Sequence, residues 1–290
     1  MMRPQKNEAK TSIGLYAPLA PMNILYKFYS LPYFLDATLR LGCEAVELWG
    51  GAPHLDIEGA SPEDIRGIKR LLEGRGLRVC CLTPETGLYP VNIASEDKEM
   101  RRLSEAYLSK ALDIAAELGS PVMQATSGTG YFDARPDGAW ARSAEGLGRL
   151  SAKAEALGVD LALEALPRHE SNLVYDATTI GRMLDEVGAP ALGVLLDTSA
   201  AAAAGDTPEL YIRKFGSRIK HIQLIDGPDG RLAWGDGCLP LESYAASIAA
   251  SGYEGALGLE LYAHSYYEKP DPVLERCVQA LCIRGGSAAL

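Results

Sequence analysis

The fold class this sequence predicts is α/β, a closed (β/α)8 TIM barrel, and three observations lead to it. Eight short apolar runs bounded by turn residues alternate with longer stretches of helical spacing. The main rival, an open doubly wound sheet, would carry GxGxxG after its first strand, and none is present. The nearest signal, GTG at Gly128 to Gly130, runs into Tyr131 and lacks that spacing. Finally, 290 residues lies in the range one such barrel fills. The expectation is a single barrel domain over residues 1–290, with flexible ends at 1–10 and 284–290.

The strand candidates, in order, are Ser12 to Ala17, Ala45 to Gly50, Leu77 to Thr83, Pro121 to Ala125, Asp160 to Ala165, Leu192 to Asp197, Ile219 to Ile225 and Ala256 to Leu261. Between them, Lys98 to Leu118 repeats Leu103, Tyr107, Ala111, Ile114, Ala115 and Leu118 at three- and four-residue steps, one apolar stripe of a helix. The segment from Ser61 to Glu73 opens with SPED, a serine cap before proline at the first turn and acids near the positive helix end. GLR, GVD and GYE, each just before a strand, mark helices closed by glycine. The alanines at Ala200 to Ala204 read as a helix start or a lining of small side chains.

Composition narrows the function. Apolar residues make up 47% and charged residues 23%, enough for a core. No apolar run is long enough to span a membrane, and the basic start MMRPQKNEAK has no apolar stretch behind it, so a soluble cytoplasmic protein is expected. A net charge of -10 disfavours nucleic acid, whose phosphates need a basic surface. The six cysteines form no CxxC pair and no zinc-finger spacing, so buried free thiols are expected.

A barrel of this class does its chemistry at the C-terminal ends of its strands, so polar residues that interrupt the last positions of apolar runs are informative. Glu164, Asp197, Gln223 and Glu260 do so on the fifth to eighth predicted strands. Any one alone could be an ion-pair or cap residue. Three carboxylates converging in an apolar interior need a cation, because an ion leaving water forfeits several kcal/mol. An all-oxygen set of two Glu, one Asp and one amide suits Mn²⁺ or Mg²⁺, with Co²⁺ a further candidate, more than Zn²⁺. Glu164 and Glu260 would then serve as base and acid for a proton next to a carbonyl, through an enediolate.

The segments VELWGGAPH (Val46 to His54), TPETGLYPVN (Thr83 to Asn92), EMRR (Glu99 to Arg102), LEALPRHESNLV (Leu163 to Val174), HIQLIDG (His221 to Gly227) and GYEGALGLEL (Gly252 to Leu261) resemble the xylose-isomerase-like superfamily of sugar isomerases and epimerases. Within it, the nearest resemblance is to the fructoselysine 3-epimerase branch. That resemblance implies divalent-metal binding by Glu164, Asp197, Gln223 and Glu260, acid–base roles for the two glutamates, and a small sugar or sugar derivative as substrate. It also implies a homo-oligomer, substrate contacts at Glu170 and Arg168, and a sugar-facing wall at Trp49 and His54. Tyr89, His264 and Tyr266 fall on loops of the same face and could cover a ligand, whereas His169 and His221 read as structural. Glu170 and Arg168 read equally as solvated loop charges, and Trp49 and His54 as a packed indole and a loop histidine.

Two positions depart from the ketohexose epimerase pattern. Gln223 stands where those proteins place a histidine on the seventh strand, although hydroxypyruvate isomerases of the superfamily also read HIQ. Ala200 replaces a substrate-binding histidine, as in the fructoselysine branch. The activity expected is a metal-dependent epimerase or isomerase of a ketose, a ketose-amine conjugate or a related oxo-sugar. The alternatives are a dehydratase or lyase on a 3-oxo-glycoside or inosose, and a metal-free sugar-binding barrel suggested by Gln223. An endonuclease is disfavoured by four histidines and the negative charge.

Overall fold

The computed structural model describes residues 17–87, 90–228 and 230–282. Its eight strands are β1 (Leu19–Pro21), β2 (Ala45–Gly50), β3 (Arg78–Pro84), β4 (Val122–Ala125), β5 (Asp160–Glu164), β6 (Leu192–Asp197), β7 (Ile219–Gln223) and β8 (Leu257–Leu259). They pair in parallel in the order β1-β8-β7-β6-β5-β4-β3-β2, and a parallel bridge from Met22 to Glu47 brings the two ends together. The helices are α1 (Leu31–Arg40), α2 (Pro62–Glu73), α3 (Lys98–Leu118), α4 (Asp137–Leu157), α5 (Ala177–Val187), α6 (Thr198–Ala203), α7 (Pro208–Phe215), α8 (Leu241–Ala250) and α9 (Pro270–Cys282). This is the expected (β/α)8 barrel. Among the described residues, no helix is long and apolar enough to cross a membrane.

The local signals operate as the chemistry requires. Ser61 caps α2 in a reciprocal box with Asp64, and Pro62 occupies the first turn. Gly76, Gly158 and Gly252 all adopt the left-handed conformation that lets the chain leave a helix and enter the next strand. Helix α3 has the expected bounds and buries most of the expected stripe, Ala111, Ile114, Ala115 and Leu118. Leu108 and Leu112 are buried, while Leu103 is half exposed. The register is set by Ser104, whose hydroxyl is buried between the Met100 carbonyl and the Asn92 amide.

The first strand also differs from expectation. The edge of the barrel is Leu19–Pro21 rather than Ser12 to Ala17. Ala17 is a bend, and residues 12–16, together with the ends 1–10 and 284–290, lie outside the described residues. The run Leu19–Pro21 is too short and too proline-rich to announce itself as a strand. Cys43, Cys80, Cys81 and Cys277 are buried free thiols, whereas Cys238 is exposed.

The core has two parts. A large apolar cluster fills the layer between sheet and helices. A smaller one, Ala20, Ala45, Cys80, Cys81, Val122, Ala162, Leu195 and Ala256, draws on nearly every strand, which is possible only inside the barrel. Strand side chains alternate with a period of two, so the position two residues beyond an interior one also points inward. Ala162 is followed in this way by Glu164, Leu195 by Asp197, and Ala45 by Glu47 and then Trp49. The interior therefore changes from small and apolar to polar towards the C-terminal ends of the strands.

Candidate active site

Glu164 ends β5, Asp197 ends β6, Gln223 ends β7, and Glu260 follows β8. Ligand atoms of Glu164, Asp197 and Glu260 all lie within 4.8 Å of one another, and the three residues are buried. Each carboxylate of the first two splits its work. Asp197 Oδ1 accepts from the Ser199 and Ala200 amides at 2.7 and 3.2 Å and caps α6, and Oδ2 is left inward. Glu164 Oε2 accepts from the Gln124 side-chain amide, and Oε1 is left inward. Gln223 donates its amide to Glu47 Oε1 at 2.8 Å. The Gln223 Oε1, Glu164 Oε1 and Asp197 Oδ2 atoms are buried without a hydrogen-bond partner.

A guanidinium lies among these acids. Arg231, from the loop between β7 and α8, places Nη2 3.2 Å from Asp197 Oδ2 and 3.5 Å from Glu164 Oε1, and its Nε donates to Glu260 Oε2 at 3.0 Å. Burial alone would lower its pKa, but the Asp197 and Glu260 charges outweigh that and hold it well above the ordinary value. Burial, then repulsion from Asp197 and Glu260, pushes the Glu164 carboxyl far up. Burial lifts Glu260 to about 8, against the pull of Arg231 and with the push of Asp197. Arg231 thus balances part of the acidity of this cluster, and protons on Glu164 and Glu260 offset the rest.

The Arg231 loop has its own fastening. Asp226 accepts from the Gly235, Gly237 and Leu239 amides at 3.0, 3.1 and 2.9 Å and pairs its backbone with Leu232. Gly237 comes so close to this carboxylate that a Cβ there would overlap Asp226 Oδ1.

Above the acids opens a cavity of about 560 Å³. Glu164, Glu260, Gln124 and Arg231 line its floor; Trp49, Tyr262 and Tyr267 supply aromatic walls. The Trp49 indole donates to Glu85 Oε2 at 2.9 Å, so its orientation is fixed. Glu170 and His264 also line the cavity, both from exposed loops.

Other expected contacts lie elsewhere. His54 does not line the cavity: its Nε2 donates to the Tyr29 carbonyl at 2.8 Å and its Nδ1 accepts from Asn23 at 3.0 Å. Burial lowers its pKa, in keeping with a neutral ring held between these partners. Arg168 stacks over the Tyr175 ring, 3.8 Å from its centroid, and is also absent from the lining. Tyr266 is buried under the loop, donating to Asp236 at 2.5 Å and accepting from the Ala233 amide. Tyr89 lies outside the described residues. His169 is exposed, and His221 is buried against Glu47.

Arg231, Glu47 and Gln124 were not singled out by the sequence reading. Gln124 breaks the apolar run VMQA one residue from its end, the same signal that marked the three acids and one amide on the later strands. Glu47 is a carboxylate within VELWG and carries a related signal. Arg231 follows a turn-forming PDG and has no periodicity to mark it.

Comparison with known proteins gives a consistent result. The xylose isomerase-like TIM barrel profile matches residues 35–281. Fructoselysine 3-epimerase of Escherichia coli O157:H7 is 32% identical over 231 residues, covering 79% of this chain and 84% of the relative. A ketose 3-epimerase of Arthrobacter globiformis is 24% identical over 253 residues, covering 78% and 85%. Among solved structures, D-psicose 3-epimerase from Clostridium cellulolyticum H10, with D-tagatose, superposes with a TM-score of 0.77 at 20% identity over 93% of this chain and 98% of that one. By its sequence match and its eight-stranded architecture, the chain belongs to the xylose isomerase-like TIM barrel family.

Proposed function

We propose that this chain is a divalent-metal-dependent sugar epimerase or isomerase that removes and returns a proton next to a carbonyl. The observation that carries the reading is the buried trio Glu164, Asp197 and Glu260, whose ligand atoms lie within 4.8 Å of one another, two of them lining the cavity, together with a Gln223 Oε1 that is buried without a hydrogen-bond partner. This donor set fits a hard cation. Glu164, Asp197, Gln223 and Glu260 would hold Mn²⁺ or Mg²⁺, or Co²⁺, through oxygen alone. When bound, such an ion polarises a ketone and offsets the negative charge of an enediolate.

The chain's own groups do the rest. Glu164 and Glu260 share the proton work, one taking it from the carbon beside the carbonyl and the other returning it. Gln124 keeps Glu164 Oε2 engaged and so fixes the plane of that carboxylate. Arg231 is positioned to donate to a substrate oxygen at the same floor, where its charge also favours the developing anion. Trp49 and Tyr262 present flat apolar surface to the carbon face of a sugar. The relatives point to a ketose or a ketose-amine conjugate as the substrate class.

A second reading draws on Arg231, whose guanidinium already balances part of the acid charge: a metal-free sugar-binding barrel. One experiment separates them. The enzyme reading expects about one divalent ion per chain, loss of turnover with chelator and recovery with Mn²⁺. A chain that binds no divalent ion and catalyses no solvent deuterium incorporation into ketoses belongs to the second reading.

A further inference from the structure

Below the acid trio lies a second buried polar group with no part in the chemistry described so far. Glu47, on β2, is fully buried and accepts three hydrogen bonds, one from the neighbouring β3 and two from β7. Thr83 Oγ1 donates to its Oε1 at 2.6 Å and Gln223 Nε2 to the same oxygen at 2.8 Å, while its Oε2 lies 2.9 Å from His221 Nε2. Room for this carboxylate is built into the facing strand: a Cβ at Gly258 on β8 would overlap Glu47 Oε2.

We infer that Glu47 is the positioning residue that sets which end of the Gln223 amide faces the ion. The inference rests on the metal reading above. A primary amide has a donor end and an acceptor end of nearly equal size, so its orientation is set by its partners. A free Gln223 amide could present either end to the acid cluster, and its NH₂ is the wrong end for a cation. Glu47 Oε1 accepts from the Gln223 NH₂, and the Gln223 Oε1 is left buried without a hydrogen-bond partner. His221, two residues earlier on the same strand, holds the other carboxylate oxygen and keeps Glu47 from rotating away.

Glu47, Cys81 and His221 also lie close enough together to suggest a second ion site. Their bonding argues for the positioning role instead. The carboxylate already has three partners, His221 Nε2 is engaged as one of them, and the Cys81 thiol donates to the Leu82 carbonyl at 3.6 Å.

The test is Mn²⁺ titration calorimetry on the chelator-stripped full chain, with melting of the metal-free protein as the control for folding. Wild type taking up one Mn²⁺, and Glu164→Gln losing it, establishes the metal reading; wild type binding none overturns that reading and this inference with it. Given one ion, Glu47→Gln is expected to weaken Mn²⁺ binding roughly 10- to 100-fold while the metal-free melting temperature stays close to wild type. Gln223→Glu alone sets two carboxylates face to face and gains no affinity despite its added charge. The exchange Glu47→Gln with Gln223→Glu restores binding, since the amide and the acid have traded places. Wild-type affinity in Glu47→Gln, or tighter binding by Gln223→Glu alone than by the exchange, overturns the inference. If Glu47→Gln does not fold, the comparison of Gln223→Glu with the exchange decides by itself. Two Mn²⁺ per wild-type chain would make Glu47 a ligand and overturn it as well.

Discussion

The two halves of the barrel differ in what they bring to the same floor. Glu164, Asp197 and Gln223 end β5, β6 and β7 and Glu260 follows β8, and the ligand atoms of the three acids gather in one place. β2 to β4 supply Glu47, Thr83 and Gln124, which reach across and occupy the other atoms of those side chains or of their partners. On the proposed reading, the later strands carry the oxygens that would face a ligand, and the earlier strands aim them. A constellation held this way loses little freedom when a ligand binds, because its rotamers are already fixed.

If the division holds, damage to the later half should cost most. Glu164→Gln and Glu260→Gln are each expected to lower turnover by at least ~10²-fold and up to ~10⁴-fold, the range for loss of a general acid or base. The measurement is solvent deuterium incorporation at the carbon beside the carbonyl. Near-wild-type exchange in both variants would remove the acid–base pair from the mechanism.

Damage to the aiming half should be smaller and should fall on binding. Gln124→Met keeps the volume but removes the donor to Glu164, and about a 10-fold loss of Mn²⁺ affinity is expected, in line with outer contacts to metal ligands. Unchanged affinity with unchanged turnover would mean that Glu164 needs no help from β4.

Gln223→His sharpens the comparison in another way. Imidazole is a softer donor than an amide oxygen, so affinity for Co²⁺ and Zn²⁺ should rise more than for Mg²⁺. Calorimetry with the three ions reads this out, and a uniform shift across them would place residue 223 outside the coordination sphere.

The smallest effect concerns stability against pH in chelator-treated protein. Glu260 has a folded pKa of about 8 against an ordinary 4.5, so between these values the folded state holds a proton the unfolded state has lost. The contribution of this group to stability is therefore present below about pH 4.5 and lost as the pH climbs through 8. Thermal melting across that window should show the decline in wild type and a shallower one in Glu260→Gln. An equal slope in the two proteins would show that Glu260 titrates near its ordinary value.

The sequence made the second half more legible than the first for a physical reason. A carboxylate at the end of an apolar run is conspicuous, because burying it alone is so costly, and β5, β6 and the segment through β8 each show one. Strand bounds followed from the same contrast, and Ala45–Gly50 and Leu192–Asp197 coincide with the structure. β1 did not, since three residues ending in proline carry too little pattern. Arg231 was invisible because a loop has no period, and its place depends on the fold around Asp226. His54 lies outside the cavity lining through a contact no local pattern encodes: Asn23, 31 residues earlier, engages its ring.

The Asp226 clasp has a consequence for redesign. The frame of the loop after β7 is written in one carboxylate and three main-chain amides, so the outward side chains of that loop hold none of those bonds. Residues there can be exchanged, provided Asp226, Gly237 and Arg231 are kept along with Ala233 and Asp236, which meet Tyr266, to change what enters the cavity while the guanidinium stays at its post. The loop is in this sense a replaceable cassette on a fixed mount, a natural point at which to graft a new specificity.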